Sequence, residues 1–298
     1  MHTSFKTRHM VSSPSTVRPL TGIAALILTT ILLAPNALSQ SGPKKVEMAA
    51  VDLARKVVIN ELKVQNEEQS HWMYRLEKAE SGRQQIRNIL ETKNGSLSQL
   101  LSIDGHPLDA KQRRKEIQRI QRLVSHPDEQ KALQQSSKKK AEQGARLFKI
   151  LPDVFVFRYA NRHGDLVTLN FSPNPTFQPS SLEDRVFHGM EGEMTINTKQ
   201  ERLVAINGHL MEDVKFGYGV LGHLDRESTF EVGQTEIIPG HWEMTALRVN
   251  MKGKALLFKA IGVQVTENHS DFHRVPDDLT LEEAANILGR QIVVADNR

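Results

Sequence analysis

The chain contains no cysteine, so it can form neither a disulfide bond nor a lipid-modified cysteine anchor. It also lacks a long apolar run, because residues 22–33 supply about 12 apolar positions whereas a transmembrane helix needs about 20. No Gly-x-Ser-x-Gly motif is present, so the nucleophile elbow of many hydrolases is missing. The fold must therefore be stable through packing alone, without covalent cross-links.

Residues 1–39 have the composition of a secretory signal peptide. Lys6, Arg8 and Arg18 come before the apolar run, and Ala37 stands third before a predicted cleavage after Ser39. The alternative is an uncleaved membrane anchor, but the run is too short to cross roughly 30 Å of hydrocarbon. We therefore predict that the mature protein is periplasmic or secreted.

The charge balance of the mature chain gives no support for a nucleic-acid partner. The full chain has 39 Lys and Arg against 35 Asp and Glu, and residues 1–39 hold three of the basic residues and no acid. The mature chain is left with 36 basic and 35 acidic side chains. Binding to phosphates would require a clustered basic face, so we predict no nucleic-acid partner.

Short alternations of apolar and polar residues fill the chain from Arg185 to Thr266 and predict antiparallel strands. Two such runs lie within Gly192–Leu210, joined by a polar turn. The apolar positions expected on one face of these runs are Met194, Ile196, Val204, Ile206 and Leu210. Later strands are predicted at 229–238, 241–251 and 255–266, with turns at Pro239-Gly240 and Lys252-Gly253-Lys254.

The first half of the mature chain alternates between helix and strand patterns. An amphipathic helix is predicted over Val46–Val64, followed by three short strands at 72–76, 85–91 and 97–103, with a hairpin turn at Asn94-Gly95. Asp109 and Gln112 can form a capping box for a helix through Val124, and Pro127 suits the first position of a second helix. These helices are expected to cover one face of the sheet.

The pattern is that of a single domain. Strands are also predicted at 154–159 and 166–171, and they resemble those before the helices, so residues 40–276 are predicted to form one β-rich domain with a helical insertion over 109–151. Residues 277–298 are predicted to form a tail, where Thr280 and Glu283 cap a helix to about Leu288. Ile292–Ala295 is predicted to add an edge strand or to pack loosely.

Two motifs have the residue spacing of a cofactor site or a metal site, but the secondary structure predicted around them does not suit that role. Gly217, Gly219 and Gly222 spell G-x-G-x-x-G, yet a strand is predicted to follow them where a dinucleotide site needs a helix. His269 and His273 have the i, i+4 spacing of a helical zinc pair, but an extended chain separates them by roughly 13 Å. A bend in the sheet and exposed histidines are the favoured interpretations, so we predict no cofactor and no metal.

The sequence does not point to a catalytic constellation. His163 and Asp165 flank Gly164 in a predicted hairpin turn, where polar residues are expected in any case. An enzyme would need a polar pocket that joins His163, His188 or His241 to a carboxylate. We therefore predict a protein without enzymatic activity.

The large apolar residues suggest a different kind of site. A curved sheet under helices can leave part of an apolar face uncovered and so form a concave site for an acyl chain or an apolar peptide. The same residues could equally form plain core. The candidates for the wall of such a pocket are Trp72, Tyr74, Phe171, Met194, Ile196, Trp242 and Phe258.

Several stretches carry a resemblance to a known fold. They are Ile103–Leu108, Phe171–Pro179, Gly192–Leu210, Asp213–Gly222 and Leu256–Ala260. With the order of signal peptide, helix, three strands, helical insertion and long meander, the chain resembles the LolA-type lipoprotein carriers, and more closely a group of exported bacterial proteins related to outer-membrane lipoprotein-sorting proteins. The resemblance implies an unclosed β-barrel with helices on its concave side, in the periplasm, that shelters lipid chains without a metal or cofactor.

Two functions follow as hypotheses. The first is a binding protein that holds a lipid, a lipoprotein acyl chain or another apolar group between sheet and helices. The second is an envelope sensor or scaffold that binds a protein partner through the same sheet. Lys138-Lys-Lys140 could touch an anionic membrane surface, although a solvated helix face explains it as well.

Overall fold

The computed structural model describes residues 44–216, 222–255 and 259–296. Within these residues the chain has an α+β fold, in which thirteen strands form one antiparallel sheet that does not close into a barrel. The predicted fold class is therefore confirmed. None of the helices in the described part of the chain is long and apolar enough to span a membrane.

The helix and strand boundaries follow the predicted order closely. The helices are α1 (Lys44–Glu67), α2 (Ala110–Ser125), α3 (Pro127–Val154), α4 (Leu182–His188) and α5 (Leu281–Asp296). The first strands are β1 (His71–Glu80), β2 (Arg83–Thr92), β3 (Gly95–Ile103), β4 (His106–Pro107), β5 (Phe155–His163) and β6 (Leu166–Pro173). The remaining strands are β7 (Met190–Asn197), β8 (Arg202–Leu210), β9 (Val214–Phe216), β10 (Gly222–Leu224), β11 (Thr229–Ile238), β12 (His241–Ala255) and β13 (Lys259–Val275).

The sheet runs in the order β4-β3-β2-β1-β13-β12-β11-β8-β7-β6-β5, and the short β9–β10 hairpin pairs with β12. Strand β1 therefore pairs with the last strand of the meander, so the two halves of the chain share one continuous sheet. Every strand pair is antiparallel, and directly opposed residues point to the same face. The two faces of the sheet can thus be followed from strand to strand by register.

The main core lies on one face of the sheet, under α1 and α3. Ala50, Ala54 and Val57 of α1 are fully buried against strand residues such as Phe157 and Ile196. This confirms the predicted amphipathic helix and its packing on the sheet. The buried face of α1 has small side chains, so the helix can approach β5 and β8 closely.

A buried ion pair fixes the C-terminal half of α1 to β8. Arg202 donates from Nε to Oε1 of Glu61 at 2.7 Å and from a terminal nitrogen to Oε2 at 3.0 Å. The backbone N–H of Leu203 also donates to Glu61 Oε1, at 2.8 Å. Glu61 is 1% exposed and Arg202 is 6% exposed, so both charges lie in the interior and their partners replace their hydration.

Helices α2 and α5 pack on the opposite face, at the β2–β3 end of the sheet. Leu90 and Leu97 of these strands contact Ile120 and Leu123 of α2, together with Leu288 of α5. The two helices of the predicted insertion therefore lie on opposite faces of the sheet, because α3 covers the main core while α2 covers the other face. The predicted division into a domain and a separate tail stays a prediction, although α5 is packed against the sheet.

Both predicted capping boxes are present. The Asp109 side chain accepts from the Gln112 N–H at 2.7 Å, and the Gln112 side chain accepts from the Asp109 N–H at 2.8 Å. Thr280 and Glu283 make the same reciprocal contacts at the start of α5. Pro127 is the first residue of α3, as its fixed φ and missing N–H predict.

The meander does not begin at Arg185, as predicted, because that residue lies in α4. Ser181 caps this short helix by accepting from the Asp184 N–H at 3.0 Å. Val186 and Phe187 are buried at helical spacing from Leu182. Strand β7 starts only at Met190, so the apolar residues before it follow the spacing of a helix and the prediction of a strand there is wrong.

The predicted turn at Lys252-Gly253-Lys254 is wrong, since β12 continues to Ala255. Gly253 pairs with Ile261 of β13 and with Leu224 of β10. A Cβ atom at Gly253 would lie 2.2 Å from the carbonyl oxygen of His223. The glycine is therefore needed for close contact between β10 and β12.

The predicted face of Val204 is also wrong, because a β-bulge lies at this point of β8. Thr195 pairs with Ala205 while the next residue, Ile196, pairs with Leu203, so Val204 has no opposed partner. Leu203 is fully buried in its place, and Val204 is half-buried. Ile206 and Leu210 are buried as predicted.

Residues 292–295 do not form a strand, because α5 runs without a break to Asp296. Ala284 and Leu288 of this helix are fully buried at i, i+4 spacing. Their packing holds the part of the helix that precedes the β-branched residues. Tertiary packing here overrides the local β-propensity of Ile292-Val-Val.

The buried ion pair predicts a large and asymmetric effect of mutation. Arg202→Met leaves the Glu61 carboxylate buried without its counter-charge and should lower the free energy of unfolding by about 3–5 kcal/mol. The double variant Glu61→Gln with Arg202→Met should recover more than half of this loss, since the neutral amide introduced at position 61 can still accept from the Leu203 N–H. Urea unfolding measures both values, and a loss below about 1 kcal/mol for Arg202→Met would show that the pair does not anchor α1.

The Glu116 carboxylate predicts a pH-dependent stability. Burial raises the pKa of Glu116, but the Arg119 guanidinium, the Leu100 N–H and the Arg87 charge outweigh it and hold this pKa below its ordinary value of 4.5. Ionised Glu116 therefore stabilises the fold above that value, and the contribution disappears as the pH falls through the lowered pKa.

Glu116→Gln should accordingly lose less stability than the wild type between about pH 5 and pH 3. Urea midpoints at several pH values measure this, and Glu212→Gln, at an exposed position, is the control, which should behave like the wild type. Identical pH dependence in Glu116→Gln and the wild type would contradict the assigned role.

Candidate functional site

A groove of about 750 Å³ crosses the sheet face opposite to the main core. Its floor consists of two rows of side chains that are matched by strand register. One row is Asn207, Glu231, Arg248, Thr266 and Ala79, from β8, β11, β12, β13 and β1. The other row is His209, Thr229, Asn250 and Gln264.

The β1–β2 turn forms one end of the groove, where Glu80, Ser81 and Gly82 line it. Ser81 and Gly82 have φ values of 53° and 77°, the positive φ of a two-residue hairpin turn that matches strand twist. The groove therefore spans five strands, or about 19 Å at roughly 4.8 Å per strand spacing.

The charges at the groove are paired with one another. Arg248 donates to Glu231 at 2.5 Å, and these side chains are 50% and 44% exposed. His209 Nε2 lies 3.2 Å from Glu191 Oε1 on the neighbouring strand. In the second row, the Gln264 side chain donates to Asn250 at 3.1 Å. The floor is thus rich in hydrogen-bonding groups, and its exposed pairs are well solvated.

The predicted wall residues do not line this groove, and they fall into separate groups. Phe171, Met194 and Ile196 are 0–2% exposed and belong to the main core under α1 and α3. Trp72 and Tyr74 are 2% and 6% exposed and form another cluster with Leu76 and Ile89 at the β1–β2 end of the sheet.

The other two predicted wall residues differ from these. Trp242 is half-buried; its indole N–H donates to Gln200 at 2.6 Å, and the Arg202 guanidinium lies 5.8 Å from its ring centroid. Trp242 therefore packs against Arg202, the residue that holds α1 through Glu61, and does not line the groove. Phe258 lies outside the described residues, as do Gly217 and Gly219 of the glycine motif. Gly222 begins strand β10, so a strand does follow that motif, as predicted.

His241 is joined to two carboxylates, which is the arrangement that an enzyme hypothesis would require. Its Nδ1 lies 3.1 Å from Glu68 Oε2, and its Nε2 lies 2.9 Å from Glu243 Oε1. The ring is 4.7 Å from the Trp72 ring, and Glu68 also accepts from Ser70. The His241 side chain is 11% exposed and lies away from the groove, so these contacts connect the end of α1 to β12 and β1.

His269 is buried, contrary to the prediction of an exposed histidine. It lies in β13, stacks on Tyr74 at a centroid distance of 5.1 Å, and its Nε2 is 3.5 Å from Glu267. His273 is exposed on the same strand, beyond a bulge that includes Asp271. Among the residues that the structure describes, no three His, Asp or Glu side chains are arranged to hold a metal ion.

A second cavity is much smaller. It has a volume of about 60 Å³ and lies between the β2–β3 turn, α2, α3 and the start of α5. Leu97, Leu123 and Leu133 are among its lining residues. Sites for small molecules typically have volumes of about 300–1,000 Å³, so the groove has the size of a ligand site and this cavity does not.

No family model and no curated protein matches the chain. Among solved structures, a DUF1329 family protein from Desulfovibrio piger aligns over 76% of this chain and 93% of its own, with 12% identity and a TM-score of 0.28. A score this low carries no argument about fold or function. The resemblance to lipoprotein carriers therefore stays a prediction.

The groove was not predicted, although its residues were visible in the sequence. Asn207, His209, Arg248, Asn250 and Gln264 alternate with core positions, and period two places them on the exposed face. The alternation does not show that a groove crosses this face, because one end of the groove is the β1–β2 turn, and pairing between β1 and β13, which are far apart in the chain, brings that turn to the other lining strands.

Proposed function

We propose that the protein is an exported, non-enzymatic binding protein whose ligand lies in the groove across β8, β11, β12, β13 and the β1–β2 turn. The observation that carries this proposal is the groove itself, whose volume of about 750 Å³ is that of a ligand site. Its floor consists of regular strands, so the backbone that carries the polar side chains is in place before a ligand arrives.

The chemistry of the groove favours binding over catalysis. Of its ionisable floor residues, Glu231 and Arg248 form an exposed ion pair, and His209 contacts the Glu191 carboxylate at 3.2 Å. A catalytic acid or base must lie within hydrogen-bond reach of the proton that it transfers, in the pocket that binds the substrate. The half-buried His241 and its carboxylates have the residue types for acid–base catalysis, but they do not line the groove.

A lipid carrier is the second candidate, and the continuous apolar face under α1 and α3 favours it. This face reaches from Phe155 on β5 to Met251 on β12, so it could receive an acyl chain if α1 moved away. In the described conformation the same residues pack on one another, and Phe155, Phe157 and Leu169 are at most 2% exposed. Carrier function therefore requires a second conformation, in which the contact between Glu61 and Arg202 is broken.

Binding in the groove predicts that a large side chain there blocks the ligand. Gln264→Trp should weaken binding of a component from an envelope extract at least tenfold, because the indole would occupy the middle of the groove. The side-chain amide NMR signals of Asn207 and Asn250 report the binding. Gln118→Trp, on the exposed side of α2, is the matched control and should bind as the wild type does. An equal response in both variants would refute the groove as the site.

The carrier hypothesis predicts that the purified mature protein retains a fluorescent fatty-acid probe in a one-to-one complex. Native mass spectrometry measures the stoichiometry, and the probe should remain bound in Gln264→Trp, since its site is on the other face. Failure to retain the probe, with the wild-type fold intact by circular dichroism, would exclude the carrier.

A further inference from the structure

The side chains that face the groove define the chemistry of its ligand. Asn207, Asn250 and Gln264 carry amides, and Thr229 and Thr266 carry hydroxyls. Each amide and each hydroxyl can both donate and accept hydrogen bonds. A ligand that matches this floor must likewise offer donors and acceptors along its length.

The charge of the groove argues against an ionic ligand. Glu231 and Arg248 neutralise each other at 2.5 Å, and the remaining acidic side chain of the lining, Glu80, lies at the β1–β2 turn. A polyanion such as a nucleic acid would need several unpaired cations. A polycation would have to displace Arg248 from its partner, so an uncharged ligand fits best.

An apolar ligand is also a poor match. Placing an acyl chain over Asn250, Gln264 and Thr266 would remove their polar groups from water without new hydrogen bonds, which is unfavourable for each group. Phe230 is among the lining residues, but it is only 4% exposed and therefore presents little ring surface to the groove.

A protein partner fits less well for a related reason. The buried centres of protein interfaces are enriched in aromatic residues, methionine and arginine. Of these, the described side chains of both floor rows include only Arg248, which is paired with Glu231, and they offer no apolar pocket for an anchoring side chain. The groove is also open along its whole length of about 19 Å, and this shape suits an extended chain better than a compact molecule.

We propose that the groove binds an uncharged, hydroxyl-rich chain, a glycan of neutral sugar units lying across the strands. This inference rests on the proposed function, in which the groove is the binding site. Vicinal hydroxyls present paired donors and acceptors, and these can contact the amides of Asn250 and Gln264 together. Arg248 can donate to hydroxyls and Glu231 can accept from them while the two side chains stay paired.

The test uses the mature protein and three neutral probes, the hexasaccharides of α-1,4-glucose, β-1,4-glucose and N-acetylglucosamine. At least one should shift the side-chain amide signals of Asn207, Asn250 and Gln264 with a saturable profile. Calorimetry should show roughly fivefold weaker binding for Asn250→Ala and for Gln264→Ala, the effect of losing one neutral hydrogen bond. Gln118→Ala, outside the groove, is the matched control and should leave the affinity unchanged.

Two outcomes separate this inference from the proposed function. If the neutral probes leave the groove signals unchanged while a sulfated hexasaccharide or a peptide shifts them, the ligand class is wrong and the groove remains a binding site. If the neutral probes bind with equal affinity to the wild type, Asn250→Ala and Gln264→Ala, the sugar site lies elsewhere and the inference is overturned. A shift by none of these probes overturns it as well, and the extract experiment with Gln264→Trp then decides the proposed function.

Discussion

The position of α1 depends on the bidentate contact between Glu61 and Arg202, and the main core depends on α1. Two charges at 1% and 6% exposure are stable in the interior only when their partners replace the lost hydration. Here the guanidinium fork meets both carboxylate oxygens, and the Leu203 N–H supplies a further donor. The contact also specifies register, because only one placement of α1 brings Glu61 over the start of β8.

The contacts around this pair extend the anchor across three strands. Lys56 pairs with Glu201 at 2.7 Å, and Asn60 donates to the Glu201 carbonyl at 3.0 Å. Gln200, which accepts from Trp242, also donates to Glu236 at 3.0 Å. The β7–β8 turn is thus connected to α1 on one side and to β11 and β12 on the other. The same set of polar contacts therefore holds both α1 and the central strands in place. This explains why polar residues concentrate at this end of the core.

Local signals in the sequence predicted the elements whose cause is local. The capping boxes at Asp109 and Thr280, the hairpin at Gly95 and the helix start at Pro127 each need only neighbouring residues, and all are present. The incorrect prediction at Arg185 also has a local cause, the cap of α4 at Ser181, but the others have causes that are distant in sequence. Gly253 resembles a turn residue, but its role comes from β10, about thirty positions earlier. The bulge at Val204 depends on how β7 and β8 pair, and the packing of α5 depends on β2 and β3.

The candidate site shows the same division between local and distant causes. Gly192 and Gly208 are opposed across β7 and β8, and a Cβ at Gly192 would lie 1.9 Å from the Asn207 carbonyl oxygen. A Cβ at Gly208 would lie 2.7 Å from the Phe230 ring and 3.1 Å from the Phe171 ring. The two rings therefore pack against Gly208 on the core face, and the missing side chains let β7 and β8 approach closely. Asn207 and His209 flank Gly208 on the other face, so the placement of these two groove residues depends on packing in the core.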